Sequence, residues 1–192
     1  MTNLEATNRS LALLGAAPIN YVTDDIQTAR VTNRLFETTR KSVLSEFPWS
    51  FALRFSSLVP AALSDTKGWS IAYTRPTSAI AIWRVFTDYQ EQVQFQAEQN
   101  YIYSNAQDAT LEYSVDIPFT QWNDASSEAF VFRLAADCAV TLTGSEQISQ
   151  AMMQKYMAAG NLARRNTRNE RDVGTKISGT YVWIRGAGRK IG

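Results

Sequence analysis

Four arginines with the spacing Arg164-Arg165-x-x-Arg168-x-x-Arg171 are the residues of this chain best suited to binding chemistry. Guanidinium groups form bidentate, charge-assisted hydrogen bonds with carboxylates and phosphates. Further basic residues follow, interleaved with aromatic residues of the types that anchor protein interfaces. We therefore predict a basic C-terminal arm over residues 161–192 that binds a partner. Its candidate contacts are Arg164, Arg165, Arg168, Arg171, Lys176, Tyr181, Trp183, Arg185, Arg189 and Lys190.

The charge of the chain is divided unevenly, although its net value is only +1. Residues 161–192 carry eight basic and two acidic residues, a net charge of +6, and residues 1–160 carry 11 and 16, a net charge of −5. A protein partner is the favoured interpretation of the arm, because phosphate would repel the acidic body. Binding of nucleic-acid backbone stays open. So does a solvated arm whose arginines only complement the carbonyl end of a helix.

Residues for catalysis are sparse. The chain has no His and a single Cys, Cys138, which lies in an apolar run and is expected to be a buried hydrophobe. Asp24-Asp25 precedes a helical pattern and is expected to supply the cap of that helix. The other acidic residues suit no metal loop or two-carboxylate site. We predict no enzyme, metal or cofactor, and a carboxylate-dependent hydrolase is the least supported alternative.

The sequence shows no signal for the membrane or for export. It begins without a basic, then apolar, leader and contains no run of about 18 apolar residues. We expect a chain that folds in a reducing cytoplasm and does not span a membrane.

The elements that must position these residues follow from hydrophobic periodicity. The length of 192 residues and the apolar fraction of 45% suit one compact unit. Spacings of three and four predict helices at about 2–15, 24–47, 124–143 and 145–169. The third is apolar on nearly all sides and should be central, with Arg133 and Asp137 forming a local ion pair.

Alternating patterns fill the middle third of the chain, after Pro48. We predict an antiparallel β-meander in a subdomain over about 50–117, and one further strand near 180–185 in the arm. The fold class is therefore α+β. Helices from both ends of the chain form an antiparallel bundle, the β-meander is inserted between them, and the extended arm follows a single domain at 1–160. The predicted strands of the meander are 50–59, 69–74, 79–87, 92–97, 101–103 and 110–115.

The first 55 residues carry a recognisable combination of residues. Its members are Leu11, Leu14, Gly15, Pro18, Ile19, Asp24, Asp25, Ala29, Arg40, Leu44, Phe47, Pro48, Trp49, Phe51, Ala52 and Arg54. In this order they resemble the head-to-tail adaptors of short-tailed, T7-like bacteriophages, also called tail tubular protein A, gatekeeper or head completion proteins. The length and the helix–sheet–helix order are similar to that family as well.

The resemblance implies a structural ring subunit, typically of twelve copies, in the virion at the head–tail junction. Such a ring sits between the portal and the nozzle or tube proteins of the tail, and the subunit is made and folded in the bacterial cytoplasm. It extends the channel through which packaged DNA passes without sequence-specific binding, and it helps to retain that DNA. The family's C-terminal arm commonly grips the portal. The alternative is an accessory protein that binds nucleic acid through its basic arm.

Overall fold

The computed structural model describes residues 1–87 and 91–187, with residues 172–187 given as helical backbone alone. The helices are α1 (Asn3–Leu13), α2 (Gln27–Glu46), α3 (Asp124–Thr143) and α4 (Glu146–Ala187). The strands between α2 and α3 are β1 (Leu53–Ser57), β2 (Ile71–Thr74), β3 (Ala79–Phe86), β4 (Gln92–Val93), β5 (Phe95–Ala97), β6 (Tyr101–Ser104) and β7 (Thr110–Val115). A 3₁₀ turn, Phe119–Gln121, precedes α3. The predicted α+β class is confirmed.

Helix α1 begins and ends on short-range signals. Thr2 and Glu5 form a reciprocal capping box, in which each side chain accepts a hydrogen bond from the other's backbone N–H. Leu14 is the C-cap, and Gly15 follows with a φ of 68°, a left-handed conformation that glycine adopts without steric cost. The motif residues Leu14 and Gly15 therefore end this helix.

Helix α2 begins differently from the prediction, because Asp24 does not cap it. The Oδ2 atom of Asp24 accepts the backbone N–H groups of Asn20 and Tyr21, at 2.9 and 3.0 Å, so it closes the connector before the helix. Asp25 pairs with Arg30 at 2.7 Å on an exposed surface. Both acidic side chains bond to other groups, and the helix begins after Ile26 with no side-chain cap.

Helix α3 lies at the centre of the helical part and contacts each of the other three helices. Asn123 caps it by accepting the N–H of Ser126, and Gly144 ends it in the left-handed conformation. Its rings and those of the preceding turn interlock, with Phe119 and Phe130 only 4.7 Å apart between centroids. The prediction of a central helix is confirmed by these contacts, and half of the residues of α3 are buried.

Helix α4 continues to Ala187, so the strand predicted near 180–185 is wrong. The β-branched and aromatic residues there favour a strand only weakly, and an established helix adds residues at little cost. No break occurs at residue 160, where the predicted domain ends and the arm begins. The predicted arm is therefore helical, not extended, up to residue 187.

The strands form two antiparallel sheets with the orders β1-β7-β3-β4 and β2-β6-β5. A meander would pair each strand with the next, whereas β1 pairs with β7 and β2 with β6. The predicted meander is therefore wrong in its pairing, although each predicted strand overlaps an observed one. The 92–97 strand is divided into β4 and β5, one in each sheet. Side chains from both sheets, including Tyr73, Ile102 and Leu111, share one apolar core.

Candidate protein interface

The helical period divides the four arginines of the basic run between two environments. Arg164 and Arg171 are seven positions apart, two helical turns, and both side chains lie against the body of the protein. Arg165 and Arg168 are exposed. The run that the sequence presents as one basic segment is therefore part intramolecular clamp and part free surface.

The first contact of the clamp is centred on Glu46, at the end of α2. Its carboxylate lies 3.5 Å from Arg164 Nη2 and 3.1 Å from Arg133 Nη1 on α3, and it accepts the hydroxyl of Tyr156. Burial and this hydrogen bond raise the pKa of Tyr156. Arg133 also holds Asp137 at 3.2 Å, which confirms the predicted local ion pair. The network joins α2, α3 and α4 through groups of both charges.

The second contact joins α4 to the larger sheet. Glu112 on β7 has a fully buried side chain, and its two oxygens are held by different elements. Arg84 on β3 lies 2.6 Å from Oε2, and Arg171 on α4 lies 2.7 Å from Oε1. Nearby, Ser50 donates a hydrogen bond to Glu170. The end of the basic run is thus fixed to the sheet by a buried carboxylate that the sequence showed only as one of several scattered acids.

The outer side of α4 is the free part of the predicted interface. It presents Met157 and Leu162, exposed at 61% and 57%, together with Arg165 and Arg168. The Arg168 guanidinium also lies 5.7 Å from the centroid of Phe47, so its position is partly fixed. We call these four residues the α4 surface. Apolar groups flanked by arginine are typical of protein interfaces, and sequence periodicity alone did not identify Met157 and Leu162.

The structure does not describe the side chains of six predicted arm residues. Helix α4 includes four of them in its backbone, and two lie outside the described residues. They are Lys176, Tyr181, Trp183 and Arg185 in the first group, and Arg189 and Lys190 in the second.

Among the motif residues of the resemblance, Arg40 forms the most side-chain hydrogen bonds. Its side chain is buried on α2 and donates to Asp116, Glu37 and the carbonyl of Ile117. The hydrogen bond from Arg40 lowers the pKa of Asp116. Arg40 therefore links α2 to the segment that leaves the sheet.

The aromatic motif forms the passage from α2 to β1. Trp49 is almost fully buried and donates from Nε1 to the carbonyl of Val43 at 2.8 Å. Its ring packs on Phe47 and stacks on Phe51, with centroids 5.1 and 6.0 Å away. Pro48 lies between Phe47 and Trp49 in the sequence. Pro18, in contrast, is exposed in the connector between α1 and α2. The motif therefore has a structural role where it is buried.

Groups that could support catalysis are few in the described part of the chain. Burial raises the pKa of the Cys138 thiol to about 12, which keeps it protonated and unreactive. In residues 1–87 and 91–171, no group of three or more His, Cys, Asp or Glu side chains could hold a metal ion. Of the described helices, none is long and apolar enough to cross a membrane.

Two comparisons with known proteins found nothing similar to this chain. No family model matches it. A search of the curated proteins also finds no significant relative. The functional assignment therefore depends on the geometry of the α4 surface and of the sheets, together with the sequence resemblance.

Proposed function

We propose that this protein is a structural, non-enzymatic ring subunit of a phage head–tail connector. It joins the portal ring to the nozzle or tube of the tail, extends the DNA channel and helps to retain packaged DNA. The resemblance of the first 55 residues to T7-like adaptors supports this role. The α+β fold, with helices from both ends of the chain and strands between them, is compatible with it.

The observation that carries the proposal is the division of α4. Its first half packs Met152, Tyr156 and Ala163 into the core, and the clamp at Glu46 and Glu112 then fixes the helix. The α4 surface is thereby held in one orientation on a rigid element. Pre-organisation of this kind lowers the entropy cost of binding. We propose that this surface contacts the portal, with the sheets left for the tail protein or neighbouring subunits.

Charge supports a protein partner over DNA. Residues 1–160 have a net charge of −5, and in a ring an acidic channel wall would let DNA pass without holding it. Arg164 and Arg171 are occupied by Glu46 and Glu112, so the number of arginines facing solvent on this part of α4 is smaller than the sequence suggests. Fewer phosphate contacts mean weaker and less salt-dependent DNA binding.

Reversing the charges of the α4 surface tests the proposal. We expect R165E/R168E to weaken binding to the portal ring of the same virus by about tenfold or more, because each reversed charge costs about 1 kcal/mol or more at a charged interface. The matched control is R30E/R34E, which reverses two exposed arginines on α2 and gives the same net charge. Measurements of binding to the portal ring at two salt concentrations provide the dissociation constants.

Equal portal binding by both variants would contradict the assignment of the α4 surface. Loss of duplex-DNA binding by R165E/R168E, with no portal binding by the unaltered protein, would favour the nucleic-acid accessory protein instead.

A further inference from the structure

Within the part of the chain that the structure describes, strand β1 is an outer strand with no partner on one side. It is at the end of the order β1-β7-β3-β4. The N–H of Val115 donates to the carbonyl of Ala52, and the N–H of Leu58 donates to the carbonyl of Ala109. These bonds show which residues of β1 face β7. Alternate residues therefore bond to β7, and the N–H and C=O groups of Phe55 and Ser57 point away from it. No other described residue bonds to them.

The free edge of β1 is also apolar. Phe55 is 60% exposed at the centre of the open edge. Val59 is 67% exposed but lies beyond that edge, because its carbonyl accepts the N–H of Thr74. Natural proteins protect such edges with inward charges, prolines or bulges. The one charge in β1, Arg54, turns back toward the start of the strand and donates to the carbonyls of Phe51 and Leu53 at 3.3 and 2.7 Å. The centre of the edge stays open for another strand.

A complementary open edge exists on the other sheet, at β5. The bond from Glu98 N–H to the Tyr101 carbonyl fixes the β5–β6 phase, so the backbone groups of Phe95 and Ala97 point outward. The opposite edge, β2, is already covered at its outward positions by the segment around Pro60. On β4, only two residues long, the ladder leaves Gln92 alone pointing outward. Among the described strands other than β1 itself, β5 is the one with two outward-facing residues, Phe95 and Ala97, that have no backbone partner.

We propose that β1 of one copy of this chain pairs antiparallel with β5 of a second copy, Phe55 opposite Ala97 and Ser57 opposite Phe95. This pairing joins the four-stranded sheet of one copy to the three-stranded sheet of the next.

Side-chain size and charge select this register. Each large ring lies opposite a small side chain, so the strands can approach without two rings competing for one position. The same register sets Arg54 opposite Glu98, an opposite-charge pair of the kind that stabilises antiparallel strands. Glu98 is 34% exposed and contacts Lys67 in its own chain, so one carboxylate would bridge two basic groups. Two β1 strands could also pair antiparallel with Phe55 opposite Ser57, but Arg54 would then face Leu58 and no opposite-charge pair would form.

The contact uses a different edge on each copy, so it is heterologous and can close into a ring. It therefore rests on the proposed connector function and names the contact between neighbouring subunits. Each interface would contain four new backbone hydrogen bonds, from the N–H and C=O groups of two residues on each strand.

Disulfide trapping tests the pairing. In the double variant F55C/A97C, the two Cα atoms would lie about 5.5 Å apart across the interface, which suits a disulfide. Cys138 is buried and does not compete. We expect oxidation, with and without the portal ring of the same virus, to give a ladder of covalent multimers on a denaturing gel. The controls are F55C alone, A97C alone and F55C/L162C, which pairs β1 with an exposed site on α4.

Each outcome separates this contact from the connector proposal. Rings on the portal without a ladder would overturn the β1–β5 contact and leave the connector function standing. A ladder without portal binding would support the contact and contradict the connector function. The absence of both the ring and the ladder would contradict both proposals. Dimers from F55C alone would show β1 pairing with itself and overturn the register.

Charge exchange tests the register independently. We expect R54E to reduce ladder formation in F55C/A97C severalfold, because two carboxylates would then face each other across the interface. Adding E98R should restore it, since each interface then holds the pair in reverse. Because Glu98 also contacts Lys67, E98Q is the control for the loss of that intramolecular pair. Failure of E98R to rescue R54E would overturn the proposed register.

Discussion

Glu112→Gln should lower the free energy of unfolding by about 3 kcal/mol, since it leaves Arg84 and Arg171 beside a neutral, buried side chain. The value is at the low end for a broken buried ion pair, because both arginines are partly exposed and regain some hydration. Urea unfolding measures it. Asp25→Asn is the matched control, since it breaks the exposed Asp25–Arg30 pair and should cost less than about 0.5 kcal/mol.

A double-mutant cycle assigns this energy to the contact between α4 and the sheet. In an Arg171→Met background, Glu112→Gln should cost clearly less than in the unaltered protein, because one partner of the carboxylate is already missing. Equal costs in both backgrounds would contradict the proposed clamp.

Trp49→Ala is expected to have the largest effect on stability, a loss of about 3–5 kcal/mol. The substitution removes a ring that is 1% exposed, its packing on Phe47 and Phe51, and the hydrogen bond to Val43. Denaturant unfolding followed by far-ultraviolet circular dichroism measures the change. Phe55→Ala is the control, because that ring is 60% exposed and its loss should cost little in the isolated chain.

A small effect of Trp49→Ala would show that the buried aromatic cluster between α2 and β1 contributes little to stability. It would also remove the structural role of Trp49, one of the residues that carry the family resemblance.

Helices and strands were predictable where the local pattern is strong, and strand pairing was not. Alternation over 110–115 identified β7, but it could not show that β7 pairs with both β1 and β3. Alternation specifies which face of a strand is buried, and the order of strands depends on contacts far apart in sequence. The meander prediction failed for this reason.

The candidate site was predictable in composition and not in geometry. The basic run is visible in the sequence, yet the helical period turns Arg164 and Arg171 toward acidic partners on other elements. Glu112 gave no signal, because a buried carboxylate and an exposed one look alike in a sequence. Open strand edges, such as that of β1, depend on the final topology and have no sequence signature of their own.

The mass of the purified protein, alone and mixed with the portal ring of the same virus, tests the central proposal most directly. Native mass spectrometry or light scattering at low and moderate salt gives the copy number in each case. The connector function predicts a defined multi-copy ring that forms on the portal and persists at moderate salt. A protein that does not bind the portal but binds duplex DNA in a steeply salt-dependent manner would contradict the connector function.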